Sequence, residues 1–314
     1  MCDLTAPEFT DEEIARTKVE EGRWPNGPVC PHCGGTERNY SIAADAAKKI
    51  RVGLYKCGDC DGQFTVTVGT VFEGSKVPLS KWLLAIHLMC ASKKGMSSKQ
   101  LERMLSVTYK TAWFMSHRIR EAMREDGPGV MGGNGKTVEV DETFGGNKKP
   151  RGHRKGRGYA HKKLILSLVE RDGRARSCHV AAVNAKTLRP ILKEQIAADT
   201  RVMTDDAGQY SGTKEPMTAH FQEHGVVKHS IGEYIGGDIH TNTIESYFAI
   251  MKRGLVGTFR LVSPQHLKRH LGEFDFRYNY REKTGYDDRE RARIALMGIE
   301  GKRLMYRDSG SAQG

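Results

Sequence analysis

The sequence lacks any hydrophobic run long enough to cross a lipid bilayer. No stretch of about 18 apolar residues occurs in its 314 residues, which excludes a transmembrane helix. Residues 1–21 are acidic and contain no apolar run, so we expect no secretory signal peptide there. The chain also has no heptad seam that would place a coiled-coil interface.

Acidic residues are scarce in two segments of an otherwise balanced chain. The whole chain has 50 Lys and Arg against 38 Asp and Glu, a net charge of +12. Residues 76–124 contain ten Lys and Arg and two acids, and residues 147–158 contain six Lys and Arg and no acid. A pI near 9.3 predicts a polyanionic partner, either nucleic acid or an acidic membrane surface. The excess positive charge is concentrated in residues 76–124 and 147–158.

Four of the seven cysteines form two CxxC pairs. Cys30 and Cys33 are separated from Cys57 and Cys60 by 23 residues, a spacing typical of a four-thiolate Zn²⁺ ribbon. Two disulfides are the alternative, but the absence of a secretory signal and the odd number of cysteines disfavour them. The pattern predicts structural zinc and says little about function.

The first basic segment predicts three helices. The first runs from about Ser80 to Lys93, Ser97 or Ser98 caps the second, and the third runs from Tyr109 to about Arg124. Short helices joined by a tight turn indicate a helix-turn-helix, whose third helix enters the major groove of DNA. A helical spacer with a basic face is the alternative. The residues that would then face DNA are Tyr109, Lys110, His117, Arg118 and Arg120.

Strands and helices alternate after a glycine-rich linker. Strands are predicted at 137–143, 163–169, 175–183 and 201–206, with helices at 187–197 and from Glu245 through Lys252. This order is that of an RNase H-like mixed sheet flanked by helices, an α/β fold. In such a sheet the strand with Asp141 lies beside the strand that ends at Asp205.

Three acids in this frame predict a metal site. Asp141, Asp205 and Glu245 offer the hard oxygen ligands that suit Mg²⁺ or Mn²⁺, and two such ions catalyse in-line phosphoryl transfer. Lys252 follows Glu245 by two helical turns, so it shares that helix face and would hold a phosphate, unless it is a plain surface lysine. Glu142 and Asp206 are adjacent alternatives to the first two acids.

These segments together resemble the DDE-class insertion-sequence transposases that have an N-terminal zinc ribbon. The resemblance covers about residues 8–285 and is carried by RWPNGPVCPHCG, KCGDC, TVEVDETFGG, VMTDDAGQY and HTNTIESYFAIMKRGLVGTFRLVSPQHLKRHLGEFDFRYNYR. It implies metal binding by Asp141, Asp205 and Glu245, with Lys252 as the accompanying base. Some relatives have Asn as the third ligand. Here Glu245 is preferred to the nearby Asn242.

The resemblance also implies a reaction and its partners: cleavage at element ends, joining of the 3′-hydroxyl to target DNA, at least a dimer on DNA, and a prokaryotic cytoplasmic setting. The second basic run predicts a flexible loop that grips phosphates through Lys148, Lys149, Arg151, Arg154, Lys155 and Arg157. A DNA-binding regulator without catalysis and an RNase H-like nuclease are the rival functions.

The expected domains are 1–75 (ribbon), 76–126 (helix-turn-helix), 127–136 (linker), 137–285 (catalytic) and 286–314 (C-terminal helix and tail).

Overall fold

The structure is a computed structural model that describes residues 3–125, 127, 129–146, 162–211, 216–227 and 238–304. The helices are α1 (Pro7–Thr10), α2 (Glu12–Arg23), α3 (Leu79–Ala91), α4 (Ser98–Leu105), α5 (Tyr109–Met123), α6 (Ala185–Gln195), α7 (Asn242–Arg253), α8 (Pro264–Asn279) and α9 (Asp288–Met297). The strands are β1 (Asn39–Ile42), β2 (Leu54–Cys57), β3 (Gln63–Phe64), β4 (Thr137–Gly145), β5 (Lys163–Glu170), β6 (Ala175–Val180), β7 (Arg201–Asp205) and β8 (Glu223–Val227). Within the described ranges, every helix is too short or too polar to cross a bilayer.

The chain divides into two compact units. The first contains residues 1–92, 96–124 and 287–314, and the second contains residues 93–95 and 125–286. The expected ribbon and three-helix segment therefore belong to one unit, and the C-terminal helix α9 belongs to it as well. The sequence predicted separate segments at 1–75, 76–126 and 286–314.

The N-terminal part of the first unit is a small antiparallel sheet in the order β1-β2-β3. Tyr55 and Phe64 are paired across β2 and β3, and the buried Trp24 ring meets both edge-on, with centroids 5.5 and 5.8 Å away. These three rings give the sheet an apolar core. Helix α2, which precedes this sheet, begins after Asp11, because the Asp11 side chain accepts the amides of Glu13 and Ile14.

Three helices of the first unit follow the sequence prediction closely. The buried residues of α3 include Trp82 and Ile86. Ser97 caps α4 by accepting the Gln100 amide, and Thr108 caps α5 by accepting the Thr111 amide. These caps fix the two helix starts at the positions where the sequence places them.

The second unit is built on a five-stranded mixed sheet in the order β6-β5-β4-β7-β8. The β4–β5 and β5–β6 pairs are antiparallel, and the β4–β7 and β7–β8 pairs are parallel. One face packs against α6 through Val138, Val140, Leu166, Leu188 and Leu192. The other face packs against α7 and α8 through Ile165, Val169, Ile244, Met251, Leu271 and Phe274. The expected central pair, β4 beside β7, is confirmed, and β8 is a strand that the sequence analysis missed.

Candidate active site and metal centre

The four cysteines of the CxxC pairs converge in the first unit. Their sulfur atoms all lie within 4.8 Å of one another, with 3.7 Å between the Sγ atoms of Cys30 and Cys60 and 3.6 Å between those of Cys33 and Cys57. The neighbouring His32 contacts the Gln63 carbonyl instead, at 3.3 Å. Four thiolates around one point suit tetrahedral Zn²⁺, so the four close cysteines support the expected structural zinc.

Asp141 lies in β4, the central strand of the large sheet. Strand β4 pairs in parallel with β7, and Thr137, Val138 and Glu139 lie opposite Arg201, Val202 and Met203. Continued along both strands, this register places Asp141 level with Asp205. Side chains alternate between the faces of a strand, and Val138 and Val140 point to the α6 face. Asp141 and Asp205 therefore belong to the opposite face, which α7 covers.

The electrostatics of Asp141 indicate a cluster of acids. Burial, and to a smaller extent the negative charges of Asp205, Glu142 and Glu245, raise the pKa of Asp141 to about 7, against the lowering effect of the Glu142 amide. That amide donates to Asp141 Oδ1 at 2.6 Å. Like charges gathered at a half-buried carboxylate favour its neutral form, and a bound cation would remove this penalty.

The two neighbouring acids occupy different surroundings. Glu142 points to the other face of β4, where its carboxylate accepts hydrogen bonds from the Tyr210 hydroxyl and from Gln209 Nε2 at 3.3 Å. Asp206 follows the end of β7 and is exposed. Glu142 therefore points away from the face that holds Asp141 and Asp205, whereas Asp206 remains an alternative to Asp205.

Glu245 lies in the first turn of α7 and Lys252 in its last turn. Both residues are exposed. The Thr241 hydroxyl donates to Glu245 Oε1 at 3.3 Å, and the Lys252 ammonium lies 5.6 Å from the centre of the Phe248 ring. The charges of Asp205 and Glu245 act on Asp141, but in the described part of the chain only the cysteine cluster brings three or more ligand atoms within 4.8 Å.

A buried carboxylate that the sequence analysis missed lies beside this site. Glu139 is completely buried in β4 and pairs with Arg171 at 2.8 Å. Tyr210, which donates to Glu142, was also missed. A signal for Glu139 was present in the sequence: an acid between two valines of a strand that is buried on both faces requires a partner.

The predicted DNA-contacting residues separate into three groups. Lys110 is exposed at the start of α5. Arg118 is 7% exposed and donates to the Leu304 carbonyl, and Arg120 is 1% exposed and donates to Ser116 Oγ. The prediction that Arg118 and Arg120 face DNA is therefore wrong, as it is for the buried His117. Lys148, Lys149, Arg151, Arg154, Lys155 and Arg157 lie outside the described residues.

Comparison with known proteins identifies the family. Residues 132–279 match the ISXO2-like transposase domain, and residues 10–63 match the transposase zinc-ribbon domain. An uncharacterised protein in transposable element ISH50 of Halobacterium salinarum is 32% identical over 293 residues, which are 88% of this chain and 94% of the relative. The chain belongs to the ISXO2-like transposases.

As an ISXO2-like transposase, the chain combines a zinc ribbon and a transposase domain, as the sequence predicted. Two crystal structures of Mos1 were also matched, a strand transfer complex and a pre-cleavage transpososome. They are 15% and 13% identical, cover 68% and 67% of this chain and 73% of each Mos1 chain, and give TM-scores of 0.30 and 0.26. Those scores are too low to indicate a shared fold. The family assignment depends on the sequence relatives.

Proposed function

We propose that this ISXO2-like transposase binds the ends of an insertion element, cleaves the DNA there and joins the freed 3′-hydroxyls to target DNA. The observation that carries the proposal is the parallel pairing of β4 with β7, whose register places Asp141 level with Asp205, in a chain of a transposase family. The β6-β5-β4-β7-β8 order is that expected of an RNase H-like sheet. Its central strand β4 provides Asp141, and the adjacent strand β7 provides Asp205.

Asp141, Asp205 and Glu245 are the residues that would hold Mg²⁺ or Mn²⁺. Their carboxylate oxygens fit these hard cations. Burial, with a smaller contribution from the charges of Asp205 and Glu245, raises the pKa of Asp141, and a bound cation would relieve that penalty. When bound, two such ions activate the attacking oxygen and stabilise the leaving oxygen of a phosphodiester. The contribution of the chain is to fix the carboxylates on two paired strands and one helix, so that little has to be ordered during the reaction.

A third basic segment follows the last acid of this set, Glu245. Residues 246–272 contain no Asp or Glu, and five Lys and Arg lie there: Lys252, Arg253, Arg260, Lys268 and Arg269. Lys252 is exposed two helical turns after Glu245. We therefore assign Lys252 to a DNA phosphate next to the acids, together with the predicted basic loop at 147–158.

The helices α4 and α5 would bind the element ends as a helix-turn-helix. They are joined by Ser106–Thr108, and Ser106 adopts the left-handed conformation with φ 50°, which gives the sharp turn between them. The exposed cations are Lys99 and Arg103 on α4 and Lys110 on α5. The proposed DNA surface is therefore α4 with the first turn of α5.

Concerted cleavage of two element ends requires two sets of these acids, so we propose that at least two copies assemble on DNA. The zinc ribbon would stabilise the end-binding unit, because its sheet is too small to fold on an apolar core alone.

The test is a strand-transfer assay with labelled element ends and Mg²⁺. Asp141→Asn, Asp205→Asn and Glu245→Gln should each lower the rate of joining by about 10³-fold or more, while end binding in a gel-shift assay stays unchanged. Glu142→Gln is the matched control. It removes a neighbouring charge from the opposite face of β4 and should retain far more activity.

Other outcomes would favour the rival functions. Cut ends without joined products would indicate a nuclease, and binding without any product would indicate a DNA-binding regulator. If end binding is lost with each of the three acid variants, these acids have a structural role and the proposed metal site is wrong.

A further inference from the structure

Helix α7, which presents Glu245, begins without a cap of its own. The side chain of its N-cap residue, Thr241, accepts no hydrogen bond from a backbone amide of the first turn. The exposed first-turn amides of a helix need acceptors, and the structure supplies one from a different element. Oε2 of Glu139, in β4, accepts the Ile244 amide at 2.9 Å. The residue that follows Ile244 is Glu245 itself.

Arg171 holds the other oxygen of Glu139 and the chain that leads into α7. Its Nε donates to Glu139 Oε1 at 2.8 Å. Its Nη1 donates to the carbonyl and to Oδ1 of Asp238 at 2.8 and 2.9 Å, and its Nη2 donates to the His240 carbonyl at 2.9 Å. The His240 ring adds Nδ1 at 3.3 Å from Glu139 Oε1. One guanidinium thus fixes β4 and the segment before α7 together.

Arg171 is itself tied to the same strand. Its backbone amide donates to the Thr137 carbonyl at 3.0 Å, directly after β5 ends. Glu139 and Asp141 share one face of β4 and are two residues apart, or about 7 Å along the strand. A clamp at Glu139 therefore sets the distance from the start of α7 to Asp141.

We propose that Glu139 and Arg171 are positioning residues that hold Glu245 beside Asp141 and Asp205. The inference depends on the proposed function, because it gives the clamp a role towards a metal held by these acids. Glu139 binds no metal in this arrangement, since both of its oxygens are occupied by Arg171 and the Ile244 amide. It acts through α7, in the way that residues behind a metal site orient the side chains that bind the metal.

The test compares Glu139→Gln with Glu273→Gln. Glu273 is also completely buried and pairs with an arginine, Arg277, but within α8, so it controls for the general loss of a buried ion pair. Glu139→Gln should weaken Mn²⁺ binding, measured on the DNA-free protein by electron paramagnetic resonance, by about 10–100-fold. It should also speed hydrogen exchange of the first turn of α7. Glu273→Gln should leave both measurements unchanged.

A second variant covers the case in which Glu139→Gln does not fold. Arg171→Lys keeps the positive charge at Glu139 but loses the contacts with the Asp238 and His240 carbonyls, and it should weaken Mn²⁺ binding in the same direction. Wild-type Mn²⁺ affinity and wild-type exchange in both variants would overturn the inference while the proposed function stands. If wild-type protein binds no Mn²⁺, the proposed function fails, and the role of the clamp towards a metal fails with it.

Discussion

Two carboxyl groups of the second unit have a pKa close to neutrality, and burial is the main cause for both. Asp141 faces other acids, as described above. The pKa of Asp275 is raised to about 7 by burial, although its carboxylate accepts the Tyr247 hydroxyl and the Ser177 amide. Tyr247, Glu125, Arg176 and Cys178 are the titratable or charged groups that interact with it. Asp275 is therefore a proton-binding group of the folded state.

The pH dependence of stability should report this group. Its folded pKa lies above its ordinary value of 3.8, so the folded state binds more protons and stability falls as pH rises from about 4 to about 7. The expected loss is about 1 kcal/mol per pH unit. Asp275→Asn cannot ionise, so urea unfolding at a series of pH values should give a flatter dependence. Curves that stay parallel to those of the wild-type protein would contradict this assignment.

An exposed acid provides the control for that experiment. The hydrogen bond from Lys283 lowers the pKa of Asp172 in the folded state. The Asp172 carboxylate therefore stabilises the protein above its ordinary pKa and loses this effect only at low pH. Asp172→Asn removes that contribution. It should not flatten the decline between pH 4 and 7.

Single residues were predictable where the sequence gives them a position in an element. Asp205 ends a recognisable strand and Asp141 lies in another, so the pairing of these two strands followed from strand order. Glu139 and Asp275 were not recognised, because the burial of one acid depends on partners far away in sequence, such as Arg171 or Tyr247.

Helix α5 shows how burial changes the meaning of a basic residue. Its sequence contains His117, Arg118 and Arg120, and a charged helix next to a predicted turn suggested a DNA-reading face. In the structure these side chains are buried, and Arg118 donates to the Leu304 carbonyl. The aliphatic stem of an arginine packs well when its guanidinium finds acceptors, and such acceptors cannot be seen in sequence.

A pair of substitutions separates the two kinds of basic residue. Lys110→Ala should weaken end binding and reduce the slope of log K against log salt by about 1, because an exposed phosphate contact is lost. Arg118→Ala should lower the melting temperature and leave that slope unchanged. Fluorescence anisotropy at several salt concentrations and a thermal melt measure both effects. A smaller slope for Arg118→Ala would show that this arginine reaches DNA after all.

Strands were predicted less completely than helices. The β4, β5, β6 and β7 strands contain apolar or alternating runs and were all expected. The β1 and β8 strands have the sequences NYSI and EHGVV, which are short and partly polar. They are strands because a neighbouring strand offers its free edge, β2 for one and β7 for the other, so tertiary context overrides their weak propensity.

At the scale of the whole molecule, the C-terminal helix belongs with the N-terminal residues. In this unit the Arg291 guanidinium donates to the Cys90 carbonyl at the end of α3 at 2.8 Å, and the Val71 amide donates to the Ile299 carbonyl at 3.1 Å. The sequence alone predicted only a helix and a tail after residue 285, because contacts across about 200 residues have no local signal.

Removal of this helix should destabilise the first unit selectively. A chain that ends at Tyr286 loses α9 and exposes apolar surface of α3. In the full chain, Trp82 and Ile86 of α3 are only 1% exposed. Exposing such surface costs about 25 cal/mol per Å². Limited proteolysis with mass spectrometry should cut residues 1–124 of the shortened chain early and the sheet of the second unit late. A chain that ends at Leu304 keeps these contacts and should resist like the full chain, whereas equal resistance of the Tyr286 chain would show that α9 is dispensable for this unit.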